Sequence, residues 1–164
     1  MGQPLLVDLL DERDEHYEVL DEHVVVRPPD RLPEARMRVR LRTVLLAAVP
    51  AHLELFGPTF AVRYQPDSFV TPDLLVAPPE DCQDNGIDVA PLVVVEILSR
   101  STRRRDRGEK REIYAELGVP HYWLVDPESR VLEALTLVGG EYLLADRGGD
   151  VTLTQPFPVR IDLT

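Results

Sequence analysis

The stretch LVVVEIL, residues 92–98, is the most constraining feature of this chain. A continuous apolar run of this length, rich in β-branched residues, reads as a strand buried on both faces and therefore central in a sheet. Its one polar member is Glu96. An unpaired charge in such a strand costs several kcal/mol, so the fold must bring a compensating group to it. Either an arginine closes a purely structural ion pair there, or the carboxylate belongs to a site.

The surrounding sequence supplies the rest of the sheet. TFAVRY and DLLVA read as strands before the run, and HYWLV, VLEALTL and EYLLA as strands after it, the last two joined around Gly139 and Gly140. HYEVL and HVVVR flank Asp21 and Glu22 as a hairpin, although its turn lacks the glycine such turns favour. Asp30 and Pro33 open a segment whose Leu41, Val44, Leu45 and Ala48 form a helical stripe. Within it Arg36, Arg38, Arg40 and Arg42 alternate with Met37, Val39 and Leu41, which is a strand period, so the two patterns compete. A second helix is expected from about Arg107 to Leu117, stopped by Gly118 with Pro120 beyond. The expectation is an α/β fold, a mixed sheet flanked by two helices, in a single domain spanning 1–164 with an acidic N-terminal segment at 1–15.

Charge narrows the function. The 164 residues carry a net charge of −11, which argues against a protein that simply coats nucleic acid. The charge is uneven: residues 8–22 hold eight acids against Arg13 alone. Between 100 and 111, Arg100, Arg103, Arg104, Arg105, Arg107, Lys110 and Arg111 outnumber Asp106 and Glu109. That patch is either a solvated surface or a local phosphate-binding face. No apolar run approaches the roughly 18–20 residues of a membrane helix, and the acidic start resembles no targeting peptide, so the expected location is the cytoplasm with no membrane partner. The single cysteine, Cys82, has no zinc-ligand spacing around it.

Two further residues turn Glu96 toward chemistry. Asp73 follows Pro72 at the mouth of the strand DLLVA, where a neighbouring strand would bring it to Glu96. Two carboxylates, completed by water and a phosphate oxygen, compose a site for a hard cation such as Mg²⁺. The other residue is Lys110, the only lysine among 18 basic residues. It precedes Ile113, Tyr114 and Leu117 by three, four and seven positions, so it lies on the helix face turned to the sheet. A lysine so placed can orient a water or take its proton, which a guanidinium cannot do.

Other arrangements lack support. Ser99, His121 and Asp126 are the residue types of a hydrolase triad, but no nucleophile elbow surrounds Ser99. Tyr122 and Trp123 alternate along a strand as packing residues, and no phosphate-binding glycine loop occurs.

The run VVVEILSRSTRRRDRGEKREIYAELGVPHYWLVD, with TPDLLVA and YEVLDEHVVV upstream, resembles the "putative restriction endonuclease" family, an uncharacterised branch of the PD-(D/E)xK nuclease superfamily. The likeness spans roughly residues 16–163. Pro72 and Asp73 match its PD motif, Glu96 its strand acid, Asp106 and Lys110 its D-R-x-x-K segment, and Gly118, Val119, Pro120, Tyr122 and Trp123 its G-V-P-x-Y-W strand. Pro66 and Asp67 form a second PD pair, but the apolar strand follows Asp73. The resemblance implies a restriction-endonuclease-like fold with additional C-terminal strands and Mg²⁺- or Mn²⁺-dependent hydrolysis of DNA. It implies catalytic roles for Asp73, Glu96 and Lys110, with Asp73 and Glu96 on the metal. Glu18 and Asp106 would be accessory, and Arg100, Arg103, Arg104, Arg105 and Arg107 would lie on DNA phosphates. A homodimer follows by analogy of fold alone. An inactive module that keeps the fold to bind nucleic acid or protein is the competing expectation, and an oligomeric scaffold with a structural Glu96 a further one. The sequence departs from the pattern at Leu98, where the superfamily lysine would stand, at Glu22, where the hairpin glycine would stand, and in having no histidine at the start of the first long helix.

Overall fold

The computed structural model describes residues 16–164; the acidic segment 1–15 lies outside the described residues. Strands β1 (Tyr17–Leu20) and β2 (His23–Val26) form the expected antiparallel hairpin. Its turn has no glycine, yet Asp21 and Glu22 take φ of 46° and 66°, as a two-residue hairpin turn requires. The tertiary structure holds them there: the Asp21 N–H donates to the Tyr64 hydroxyl at 3.0 Å and the Glu22 N–H to Ser68 Oγ at 3.4 Å.

Helix α1 (Leu32–Ala48) settles the competing patterns in favour of the helix. Met37, Leu41 and Leu45 recur every four residues and are buried, while Arg36, Arg40 and Arg42 face water. The chain then runs through β3 (Glu54–Phe56), β4 (Ala61–Gln65), β5 (Ser68–Val70), β6 (Leu74–Ala77), β7 (Cys82–Gln83), β8 (Gly86–Ile87) and β9 (Val93–Ile97). Helices α2 (Arg103–Arg107) and α3 (Glu109–Leu117) follow, and then β10 (His121–Asp126), β11 (Val131–Val138), β12 (Glu141–Gly148), β13 (Asp150–Leu153) and β14 (Val159–Asp162).

The strands form two mixed sheets and a ribbon instead of one sheet. One sheet has the order β2-β1-β5-β4-β8-β7, the other β12-β11-β10-β9-β6-β3, and β13 pairs with β14. As the apolar run requires, β9 is interior, antiparallel to β6 and parallel to β10. Its side chains alternate between two cores. Val93, Val95 and Ile97 join Met37, Leu41 and Leu45 of α1, Trp123 and the β13–β14 ribbon, where Trp123 meets Phe157 edge-on at 6.4 Å. Val94 and Leu98 join Ile113 and Tyr114 of α3 together with Val62, Val70 and Ile87 of the first sheet. Glu96 therefore points into the second core, under α3.

The expected helix from about Arg107 is two helices. Gly108, at φ −114° and ψ −99°, leaves the helical region and breaks the chain between them. The segment RRRDR has no apolar period to reveal α2. Gly118, at φ 82°, stops α3 as expected.

Candidate active site

The site is built where β1, β6, β9, α2 and α3 converge. Antiparallel pairing of Leu74 with Val95, continued by one residue, brings Asp73 level with Glu96. The break at Gly108 starts α3 so that Lys110, in its first turn, enters the core: its side chain is 1% exposed. The lysine Nζ lies 2.6 Å from Glu18 Oε1, 2.8 Å from Glu96 Oε1 and 3.9 Å from Asp106 Oδ1. Five sequence-selected residues, Glu18, Asp73, Glu96, Asp106 and Lys110, are thus brought into one buried cluster.

Other groups orient these carboxylates. The Tyr114 hydroxyl donates to Glu96 Oε1 at 2.9 Å, and the Thr71 N–H to Glu18 Oε1 at 2.9 Å. Tyr122 donates to the Asp106 carbonyl at 2.7 Å, tying α2 to β10. The rings of Tyr114 and Tyr122 stand 5.1 Å apart, and those of Tyr122 and Tyr142 5.5 Å apart, in the core beneath α3. Asp73 is held differently. Its Oδ1 accepts from Arg27 at 3.0 Å and Arg38 at 2.5 Å, and its Oδ2 from the Ile97 N–H at 2.6 Å.

Burial and neighbours move the charges in distinct directions. Burial alone would discharge Lys110, but Glu96, Glu18 and Asp106 outweigh it and raise its pKa, so the ammonium stays protonated. Burial, with Asp106 and Asp73 adding to it against Lys110, pushes the Glu96 carboxyl up to about 8. Burial likewise raises Asp106. Burial would raise Asp73 too, but Arg27 and Arg38 override it and hold the carboxyl below its ordinary value.

Whether these residues suit a divalent cation is decided by their free oxygens. Glu18 Oε2, Glu96 Oε2 and Asp106 Oδ2 are buried with no hydrogen-bond donor among the described residues. Buried acceptors of this kind call for water or a cation, and the donor set is the all-oxygen one that Mg²⁺ or Mn²⁺ takes. Among the described residues no group of three or more His, Cys, Asp or Glu is arranged to hold a metal. A cation here is therefore limited to two protein carboxylates and draws the remainder from water and substrate, which is usual for Mg²⁺. A cavity of about 260 Å³ opens beside Asp73, lined among others by Arg27, Glu34, Ser99, Arg100 and Thr102.

The basic patch is more engaged than its sequence suggests. Arg100 pairs with Glu128 at 3.2 Å, Arg103 with Asp126 at 2.9 Å and Arg107 with Glu133 at 2.8 Å, while Arg105 stands 3.9 Å from Glu18. Arg104 is exposed with no ion-pair partner among the described residues. The triad residue types stay apart in function: Ser99 Oγ contacts Ser101 and Thr102, and Asp126 is taken by Arg103. Sequence reasoning missed Arg27, Arg38 and Glu34. Arg27 follows β2 directly and precedes two prolines, the one local hint that it is positioned; Arg38 is hidden among alternating arginines.

Comparison with known proteins agrees with this geometry at the level of family. The Uma2 family model, described as "Putative restriction endonuclease", matches residues 4–164. The crystal structure of a putative nuclease belonging to DUF820 from Anabaena variabilis ATCC 29413 is similar in fold, with a TM-score of 0.73 over 94% of this chain and 90% of that one, at 17% identity. No curated protein matches. With nearly its whole length covered by that model, the chain belongs to the Uma2 family.

Proposed function

We propose that the protein is a Mg²⁺- or Mn²⁺-dependent nuclease of restriction-endonuclease-like fold that hydrolyses DNA phosphodiester bonds. The observation that carries this reading is Glu96: a fully buried carboxylate with one oxygen fixed by Lys110 and Tyr114 and the other free, level with Asp73. Asp73 and Glu96 would hold the cation, which supplies positive charge to polarise a phosphate oxygen and acidify water. Lys110 anchors Glu18 and Glu96 and presents a fixed positive charge where negative charge develops on the phosphate. Tyr114 holds the Glu96 carboxylate in one orientation. Glu18 and Asp106 complete the lysine's shell as accessory groups.

Arg100, Arg103, Arg104, Arg105 and Arg107 would position the DNA backbone. Exposed ion pairs of the kind Arg100 and Arg107 make are worth roughly 0–1 kcal/mol, so exchange for a phosphate costs little. Pairing of two copies to cut two strands is proposed by analogy of fold.

One observation favours a second reading, a module that keeps the fold to bind nucleic acid or protein without turnover. Both Asp73 oxygens are already satisfied, two of the three donors being guanidinium groups. Calorimetric titration with Mg²⁺ and Mn²⁺, with melting curves alongside, separates the readings. Wild type should bind and be stabilised, and Asp73→Asn and Glu96→Gln should each lose the effect while remaining folded. Wild-type affinity in either variant would refute the assigned ligands.

A further inference from the structure

Asp73 is over-supplied with donors, while a buried acceptor nearby has none. Arg38 gives one terminal nitrogen to Asp73 and also pairs with Asp30, yet its own Nε is buried without an acceptor. Glu34 stands four residues earlier on the same helix. It is 4% exposed, lines the cavity that Asp73 also lines, and its Oε2 has no donor among the described residues. Residues four apart share one helix face, with about 5–6 Å between their Cβ atoms. A buried guanidinium nitrogen and a buried carboxylate oxygen are thus both unsatisfied within one helical turn, each at a cost normally avoided in a core.

We infer that Arg38 is a movable counter-ion, which neutralises Asp73 while the site is empty of metal and turns to Glu34 when a divalent cation takes Asp73. The inference rests on the assignment of Asp73 as a cation ligand. Arg27 cannot exchange in the same way, because its second terminal nitrogen is tied to the Thr71 carbonyl at 2.5 Å. It remains as the fixed partner of Asp73. Arg38 is 21% exposed, which leaves it room to change rotamer, and on leaving Asp73 it would keep only the partly exposed carboxylate of Asp30, with its buried Nε still unpaired. Glu34 offers that nitrogen a buried acceptor and so raises the affinity of the site for its cation without touching it. Glu34 and Arg38 are accordingly positioning residues that act through Asp73.

A double-mutant cycle on Mn²⁺ binding tests this, using calorimetry on the full chain without DNA, with melting curves in EDTA and in Mn²⁺. Arg38→Gln removes the competitor, so Mn²⁺ should bind roughly tenfold more tightly than to wild type. Glu34→Gln removes the alternative partner, so binding should weaken by roughly threefold to tenfold, and this loss should vanish in the Arg38→Gln background. In EDTA Arg38→Gln should melt below wild type and recover with Mn²⁺. An equal loss from Glu34→Gln in both backgrounds would mean that Glu34 attracts the cation directly, and would overturn the inference. So would unchanged affinity in Arg38→Gln. Either result, with Mn²⁺ still bound, leaves the nuclease reading intact, whereas no uptake by wild type or Arg38→Gln removes Asp73 as a ligand and both conclusions with it. If Arg38→Gln does not fold, Arg38→Lys, which offers one point donor in place of the guanidinium fork, supports the same comparison.

Discussion

Replacing Lys110 by methionine should destabilise the protein severely. The ammonium is 1% exposed and lies within 3.9 Å of Glu18, Glu96 and Asp106, so its loss leaves three buried carboxylates facing one another without their counter-ion. Removing one partner of a buried ion pair costs about 3–5 kcal/mol. For a domain of this size 1 kcal/mol corresponds to roughly 2–4 °C in melting temperature, giving a loss of roughly 6–20 °C. The sign with pH follows from the carboxylates. Without the lysine the folded pKa values of Glu96 and Asp106, already raised by burial, rise further above the unfolded ones, so charging them opposes folding increasingly as pH rises from about 4 toward 8. The gap to wild type should therefore narrow at pH 5 and widen at pH 8. Differential scanning calorimetry in EDTA at both values measures it. Adding Glu18→Gln and Glu96→Gln to Lys110→Met should restore much of the loss, since a neutral set replaces unmatched charge. A Lys110→Met variant that melts within about 2 °C of wild type at pH 8 would refute the lysine's role as central counter-ion.

The remaining expectations concern the basic face and the acid limb of stability. If the cluster tracks phosphates, Arg104→Ala should lower the slope of log affinity for DNA against log salt by roughly one unit, equally for unrelated sequences; an unchanged slope makes it ordinary surface. Glu133 sits below the ordinary carboxylate range because Arg107 bonds it through both terminal nitrogens, at 2.8 and 3.3 Å. A depressed folded pKa contributes stability above the unfolded value near 4.3, which is lost as pH falls through the folded value. Arg107→Ala should thus flatten part of the acid limb in urea titrations between pH 3 and 6, and an unaltered limb would contradict the pairing.

The most hydrophobic parts of the molecule were the most legible. LVVVEIL could only be an interior strand, and once β9 was central, Glu96 had to be buried and compensated. The inward stripe of α3 likewise placed Lys110, because Ile113 and Tyr114 fix which face meets the sheet. Short strands such as β7 and β8, two residues each, carry no period to detect; pairing partners create them. The alternating arginines of α1 gave a strand period by composition alone, and the four-residue recurrence of Met37, Leu41 and Leu45 prevailed because only that spacing buries a continuous face. The clamp on Asp73 was illegible for a different reason. Its arginines lie 46 and 35 residues away in sequence, on a strand end and a helix that no local pattern orients toward Asp73.

Buried Glu96 is proposed as the acid of a metal-dependent nuclease. The most direct test is single-turnover nicking of supercoiled plasmid by wild type and Glu96→Gln, in Mg²⁺, Mn²⁺ and EDTA. Wild type should nick with either metal and not in EDTA, and Glu96→Gln should be slower by about 10² or more while melting cooperatively. Absence of metal-dependent nicking by wild type, or equal rates in the two proteins, would contradict the claim.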